Sequence, residues 1–253
     1  MKFHVVDAFT DIAFAGNPAA VVLLDSPADA GWMQSVAAEF KHSETAFVEV
    51  AVEGPQPLRW FTPVVEVDLC GHATLATAHA LGGDQVFTTR SGELRCRAEN
   101  GWVSMDFPAD PPAPTTAELD DVLPGLTVEH IARGVSDVMV VVTDEDQVRT
   151  LKPDLDRVRL PGTRCVIVTA RSHGGEFDFV SRVFGAGAGV GEDPVTGSAH
   201  CTLASYWGER LGRTELIGRQ VSSRGGTVRM TLAGDRVRLS GQAVTVASGE
   251  LYV

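Results

Sequence analysis

The chain has 253 residues, 44% of them hydrophobic and 21% charged, with a formal net charge of −12. That composition gives a sizeable core and excludes a disordered chain. The acidic balance argues against a nucleic-acid partner or an anionic membrane surface, since both need a positive patch. Cys70, Cys96, Cys165 and Cys201 contain no CxxC pair, which argues against a zinc knuckle or a thioredoxin-like motif. No apolar run approaches the ~20 residues of a membrane span. The first residues, MKFHVVDAFTD, lack the charged-then-apolar pattern of a leader. The expectation is a cytoplasmic protein with no membrane contact.

Phe3–Phe9 reads as a buried strand and Ala19–Leu24 as a second. Asp29–Phe40 has helical spacing, with Trp32, Met33, Val36, Ala37 and Phe40 on one face. Thr45–Val52 and Leu58–Phe61 are strands, the latter stopped by Thr62-Pro63. Gly71–Leu81 is a helix ended by Gly82-Gly83, as expected for glycine just past a helix. Strands follow at Val86–Arg90, Glu93–Ala98 and Trp102–Phe107.

Residues 108–116, PADPPAPTT, contain Pro108, Pro111, Pro112 and Pro114 and mark the best domain boundary. The order of elements then repeats. Val138–Val142, Cys165–Thr169 and Phe177–Phe184 read as strands, and Asp144–Leu151 as a helix. A second small-residue apolar helix follows and closes at Gly212. Tail strands fall near Thr227–Leu232, Arg236–Leu239 and Ala243–Val246. Both apolar helices carry Ala, Leu and Thr on all sides, so each is buried. An internal duplication explains the repetition. The expected fold is α/β: two pseudo-symmetric domains, each a curved, mostly antiparallel sheet or barrel around one central helix. The domains are 1–110 and 115–244, with a last strand near 245–253 free to join the first.

Aligning Gly71 with Gly197 superposes Cys70 on Thr196 and His72 on Ser198. A helix start offers unpaired N–H groups and the positive end of a dipole, and Gly71 and Gly197 leave room for a ligand to reach them. Two such starts facing one cleft would bind a small carboxylate. Tight strand-to-helix turns explain the same glycines without a ligand. Glu44, in KHSETAFV, is either an exposed loop residue or a partly desolvated acid suited to proton transfer. Asp193 is a turn residue or a second acid. His72 is structural or catalytic, and Ser198 is an N-cap or a substrate donor. GAGAGVG, Gly185–Gly191, fits no dinucleotide fingerprint, and Ser198 lacks the G-x-S-x-G frame. His72 and His79 have no acidic partner at metal spacing, so no metal is assigned.

Together, DAFTDIAFAGNPAAVV, SETAFV, FTPVVEVDLCGHATLATAHAL and GEDPVTGSAH resemble the PhzF-like family of phenazine-biosynthesis isomerases, whose fold is that of diaminopimelate epimerase. The resemblance implies an isomerase without cofactor or metal, commonly a homodimer. It implies Glu44 as general acid/base, with His72 and Asp193 as further catalytic groups. Ser43, Gly71, Gly197 and Ser198 would hold the substrate. The best-known family reaction shifts a proton within trans-2,3-dihydro-3-hydroxyanthranilate. The epimerase relatives use two opposed cysteines; here Cys70 is matched by Thr196, a far weaker acid. The leading expectation is therefore a proton shift on a small carboxylated unsaturated or cyclic substrate. An amino- or imino-acid epimerase with mixed bases and a non-catalytic metabolite-binding protein are the alternatives.

Overall fold

The computed structural model describes residues 1–117, 122–155, 158, 160–185 and 191–253. The chain forms two compact units. Unit 1 comprises Met1–Phe107 and Ser240–Val253, and unit 2 comprises Pro108–Leu239.

Unit 1 runs β1 Lys2–Ala8, β2 Asn17–Leu24, α1 Ala30–Phe40, β3 Glu44–Glu49, β4 Gln56–Phe61 and β5 Glu66–Val67. It continues with α2 Gly71–Leu81, β6 Gly83–Thr89, β7 Gly92–Glu99 and β8 Trp102–Pro108. Unit 2 runs β9 Ala113–Pro114, β10 Val128–Arg133, β11 Val138–Val142, α3 Glu145–Thr150, β12 Val166–Arg171 and β13 Phe179–Phe184. It continues with β14 Glu192–Asp193, α4 Gly197–Leu211, β15 Glu215–Gln220 and β16 Gly226–Ala233; β17 Arg236–Glu250 begins in unit 2 and runs from Ser240 onward in unit 1. The fold is mixed α/β, rich in strands, with one buried helix in each unit.

Pairing follows the same scheme twice. In unit 1, β2–β3 and β4–β6 are parallel, and β1–β2, β3–β4, β4–β5, β6–β7 and β7–β8 are antiparallel. In unit 2, β11–β12 and β13–β15 are parallel, and β10–β11, β12–β13, β13–β14 and β15–β16 are antiparallel. Parallel neighbours need a crossover, and a helix supplies each one. Side chains repeat as well. Arg59 pairs with Glu66 at 2.7 Å and lies over Phe61; Arg182 pairs with Glu192 at 2.6 Å and lies over Phe184.

Asp29 starts α1, its carboxylate accepting from Gly31 N and Trp32 N at 2.8 and 3.2 Å. Met33, Val36 and Ala37 face the sheet and meet Val22, Leu24, Phe47 and Phe61. Trp32 and Phe40 sit at the margin of that cluster. Helix α2 buries Gly71 through Ala78 and is packed by β1, β2, β3, β6 and β7. Its threonines stay satisfied by donating back to the helix: Thr74 to Cys70 O at 2.6 Å and Thr77 to Ala73 O at 2.7 Å. Phe47 stands edge-on to Phe61 at 5.5 Å between ring centroids and is 1% exposed. Phe47→Ala should cost about 3–5 kcal/mol, read as a lowered urea midpoint.

The structure corrects the tail. Arg236–Leu239 and Ala243–Val246 are not separate strands but parts of one strand, β17. Its first residues belong to unit 2 and those from Ser240 onward to unit 1, where it pairs antiparallel with β1 from Ala8↔Ala243 to Lys2↔Glu250. Gly241 looks like a break in sequence. It is there because a Cβ would come within 2.5 Å of the Phe9 ring and 3.0 Å of Leu75. Strands β10 and β15 are further elements that the hydrophobic pattern does not reveal.

Candidate active site

In unit 1 the segment SETAF sends Thr45, Ala46, Phe47 and Val48 into the core, leaving Glu44 at the mouth of β3. The Glu44 side chain is 18% exposed, so it is held by the fold yet open to solvent. It is not a loop residue, because β3 begins with it. Ser43 immediately precedes it and is half-buried. The N-cap of α2 is Cys70, in extended conformation, and it makes no side-chain cap. The first-turn amides beyond Gly71 are therefore not closed off by a capping side chain.

His72 stands in that first turn, buried. Its Nδ1 is 3.5 Å from Cys70 Sγ and its Nε2 is 3.5 Å from Glu44 Oε2. Nε2 makes no hydrogen bond to Glu44 or to any other of the described residues. Burial first, and the charge of His42 second, lower the His72 pKa to about 3. The contact is therefore between a neutral imidazole and a carboxyl group, not an ion pair. Glu44, Cys70 and His72 place ligand-type atoms within 4.8 Å of one another. The donor types would suit zinc, but they lie at the positive end of α2, which favours an anion over a cation.

In unit 2 the corresponding helix start is built differently. Thr196 is the N-cap of α4 and also makes no side-chain cap. Its hydroxyl instead donates to Asp193 Oδ2 at 2.5 Å. Ser198 is the second residue of α4 rather than its N-cap, and Arg164 Nη2 donates to its Oγ at 2.9 Å. Gln220, at the end of β15 and fully buried, accepts from Thr196 N at 2.9 Å and donates to Asp193 O at 2.6 Å. That one side chain ties the acidic turn to the start of α4. Gln220→Leu keeps the volume and leaves both backbone groups without this partner. We expect a loss of about 2–3 kcal/mol in thermal or urea unfolding, together with weakened turnover.

Unit 1 thus holds Ser43, Glu44, Gly71 and His72, and unit 2 holds Asp193, Gly197 and Ser198. The glycine run of the sequence reading falls at 186–190 outside the described residues. Three residues escaped the sequence reading: Arg164, Asp137 and Gln220. Each is distant in the chain from the motif it serves. Only the register of the duplicated strands could have pointed to them.

A family model described as "phenazine biosynthesis-like protein" matches residues 6–249. The chain belongs to the PhzC-PhzF family. A family relative in Halalkalibacterium halodurans, named an uncharacterized isomerase, is 44% identical over 99% of this chain and 98% of its own length. A Pseudomonas aeruginosa protein of the same description is 49% identical over 98% of this chain and 97% of its own. The crystal structure of a PhzF family protein from Enterococcus faecalis matches with a TM-score of 0.93 at 40% identity, covering 100% of this chain and 99% of the other. The family match spans both units, so it includes both helix starts.

Proposed function

We propose that this PhzF-family chain is an isomerase that shifts a proton on a small carboxylated, unsaturated or cyclic substrate. Its general acid/base is Glu44. The observation that carries this reading is the cluster at the start of α2. A partly open carboxyl group lies beside a buried neutral imidazole whose Nε2 has no hydrogen-bond partner among the described residues. A buried polar atom without a partner is costly, and a substrate hydrogen bond would remove that cost. Proton transfer between two carbons needs a carboxylate that can take the proton and give it back. Glu44 takes a proton from one carbon. Electron density moves through the conjugated system toward the substrate carboxylate or carbonyl. Glu44 then returns the proton elsewhere. The uncapped amides beyond Gly71 stabilise the negative charge that develops. His72, neutral, donates or accepts one hydrogen bond and does not supply charge.

An epimerase with opposed thiols is disfavoured. Thr196 stands where a second thiol would be, and its hydroxyl already donates to Asp193. As part of the same reading the protein is a cytoplasmic homodimer, which sedimentation equilibrium would register as a doubled mass.

The test is incubation with unsaturated carboxylates and, separately, with single enantiomers of amino and imino acids, followed by NMR and polarimetry. The proposal expects migration of a double bond in the first set and no inversion in the second. Inversion without migration would replace it with the epimerase reading.

A further inference from the structure

The duplication allows the two units to be compared position by position. Val166 lies opposite Phe184 as Thr45 lies opposite Phe61, and the two phenylalanines carry the same arginine–glutamate pair beside them. One residue before these strand positions, Cys165 therefore stands in the place of Glu44. Arg164 stands in the place of Ser43, and Ser198 in the place of His72. On the short strand before each helix, Val183↔Asp193 matches Trp60↔Val67, so Asp193 takes the place of a valine. The carboxyl–imidazole pair of unit 1 is replaced in unit 2 by a guanidinium–hydroxyl pair. One repeat carries an acid and the other a cation.

Arg164 is held firmly. Asp137, whose side chain is 3% exposed, accepts from its Nε at 3.0 Å and its Nη2 at 2.5 Å, and also from Cys165 N at 3.2 Å. The Arg164 side chain is 38% exposed. Burial opposes its charge, but the Asp137 hydrogen bond and the charges of Asp137, Cys165 and Asp193 outweigh that and raise its pKa. The fork of donors is only partly used. Nε and Nη2 serve Asp137 and Ser198, while Nη1 has no hydrogen bond among the described residues. Because Ser198 Oγ accepts from Arg164, its own proton is turned away and is available to donate. Two donors, Nη1–H and Oγ–H, match the two oxygens of a carboxylate.

We propose that Arg164 and Ser198, held by Asp137, form a binding site for one carboxylate and so set the substrate class of this enzyme as monocarboxylates. Asp193 narrows the class. With Asp137 it sets two acidic groups against one guanidinium, so a phosphate dianion is repelled where a single carboxylate is tolerated. The proposal rests on the isomerase reading only in calling the ligand a substrate.

The test is calorimetric titration of the intact protein with benzoate, benzamide and inorganic phosphate. Benzoate is expected to bind, with benzamide and phosphate at least about tenfold weaker. Arg164→Gln should weaken benzoate about tenfold to a hundredfold. That variant leaves the buried Asp137 charge unpaired and can fail to fold. Asp137→Asn with Arg164→Gln restores a neutral pair, and Arg164→Lys keeps the charge without the fork; both should fold and both should bind benzoate poorly. Failure of wild type to bind benzoate, equal binding of benzamide, or a folded Arg164 variant with wild-type affinity overturns the proposal. Unchanged benzoate affinity with a fall in kcat would mean that Arg164 only positions Ser198, which also overturns it. Glu44→Gln should bind benzoate as wild type does while losing turnover. If instead that variant keeps turnover while Arg164 variants lose binding, the isomerase mechanism fails and the carboxylate site stands.

Discussion

Glu44→Gln should abolish measurable turnover, a loss of at least about 10²–10⁴-fold, while the protein stays folded. The substitution keeps the shape of the side chain and removes its capacity to carry a proton. Glu44 is the first residue of β3 with 18% of its side chain open, so the core residues Thr45 to Val48 are untouched by the change. The stability difference should be about 1 kcal/mol or less, as for substitutions outside the core. Turnover compared with melting temperature separates the two effects. His72→Asn is the useful companion. It keeps a neutral donor and acceptor, so it should lower kcat without the complete loss expected at Glu44. Wild-type turnover by Glu44→Gln would remove the assigned role.

Acid should unfold the protein well before its carboxylates are all neutralised. His72 and His200 are buried, and burial is the first cause of pKa values lowered from 6.5 to about 3 and about 4. At His200 the hydrogen bond of Nδ1 to Thr196 O, at 2.8 Å, works in the opposite direction and only partly offsets burial. A histidine depressed in this way binds fewer protons folded than unfolded. Its contribution to stability is present above about pH 6.5 and is lost as pH falls toward the folded value. Each such histidine loses about 1.4 kcal/mol per pH unit in that window, so the pair should lose about 4 kcal/mol between pH 7 and pH 5. Urea midpoints at a series of pH values measure this. His200→Gln should remove about half of the slope. A flat profile from pH 7 to pH 5 would mean that both rings are protonated in the folded protein.

The fold class is legible in the sequence because its two central helices advertise themselves. Gly71–Leu81 is bounded by a strand-like N-cap and by Gly82, and its small apolar residues on every side require burial. The same holds from Gly197 to Gly212. What misleads is the polar strand. Val128–Arg133 is mostly accessible and has no clean alternation, so hydrophobicity alone does not mark it. Glu215–Gln220 is hidden by Gly218, which resembles a turn residue. A Cβ there would lie 2.6 Å from the Phe179 ring and 3.2 Å from His200, so packing, not turning, demands the glycine.

The candidate site is legible in a different measure. Its residue types are visible at both helix starts, but distances are not. Nothing in the spacing brings Glu44 to His72 or says that His72 is neutral. Nor does it reveal that Cys70 touches the ring, 3.5 Å from Nδ1. Arg164 is a single basic residue before an apolar strand in sequence. Only its buried Asp137 partner and its bond to Ser198 give it a role.

The duplication also bears on how one fold could hold two different chemistries. Matching backbone positions carry an acid in one repeat and a thiol in the other, Glu44 against Cys165. They carry an imidazole against a hydroxyl, His72 against Ser198. The structural pair repeated in both units, arginine with glutamate across neighbouring strands, is unchanged. The arginine–glutamate pair across the sheet is the same in both units, and the residues at the helix starts differ.

In the proposed mechanism the proton moves through Glu44. Its most direct measurement is turnover of a carboxylated substrate in deuterium oxide, with NMR or mass spectrometry of the product. Because Glu44 is open to solvent, the account predicts deuterium on the carbon that gains hydrogen in at least part of the product. With Glu44→Gln it predicts neither product nor deuterium. Product that remains free of deuterium after many turnovers, or full incorporation by Glu44→Gln, would contradict it.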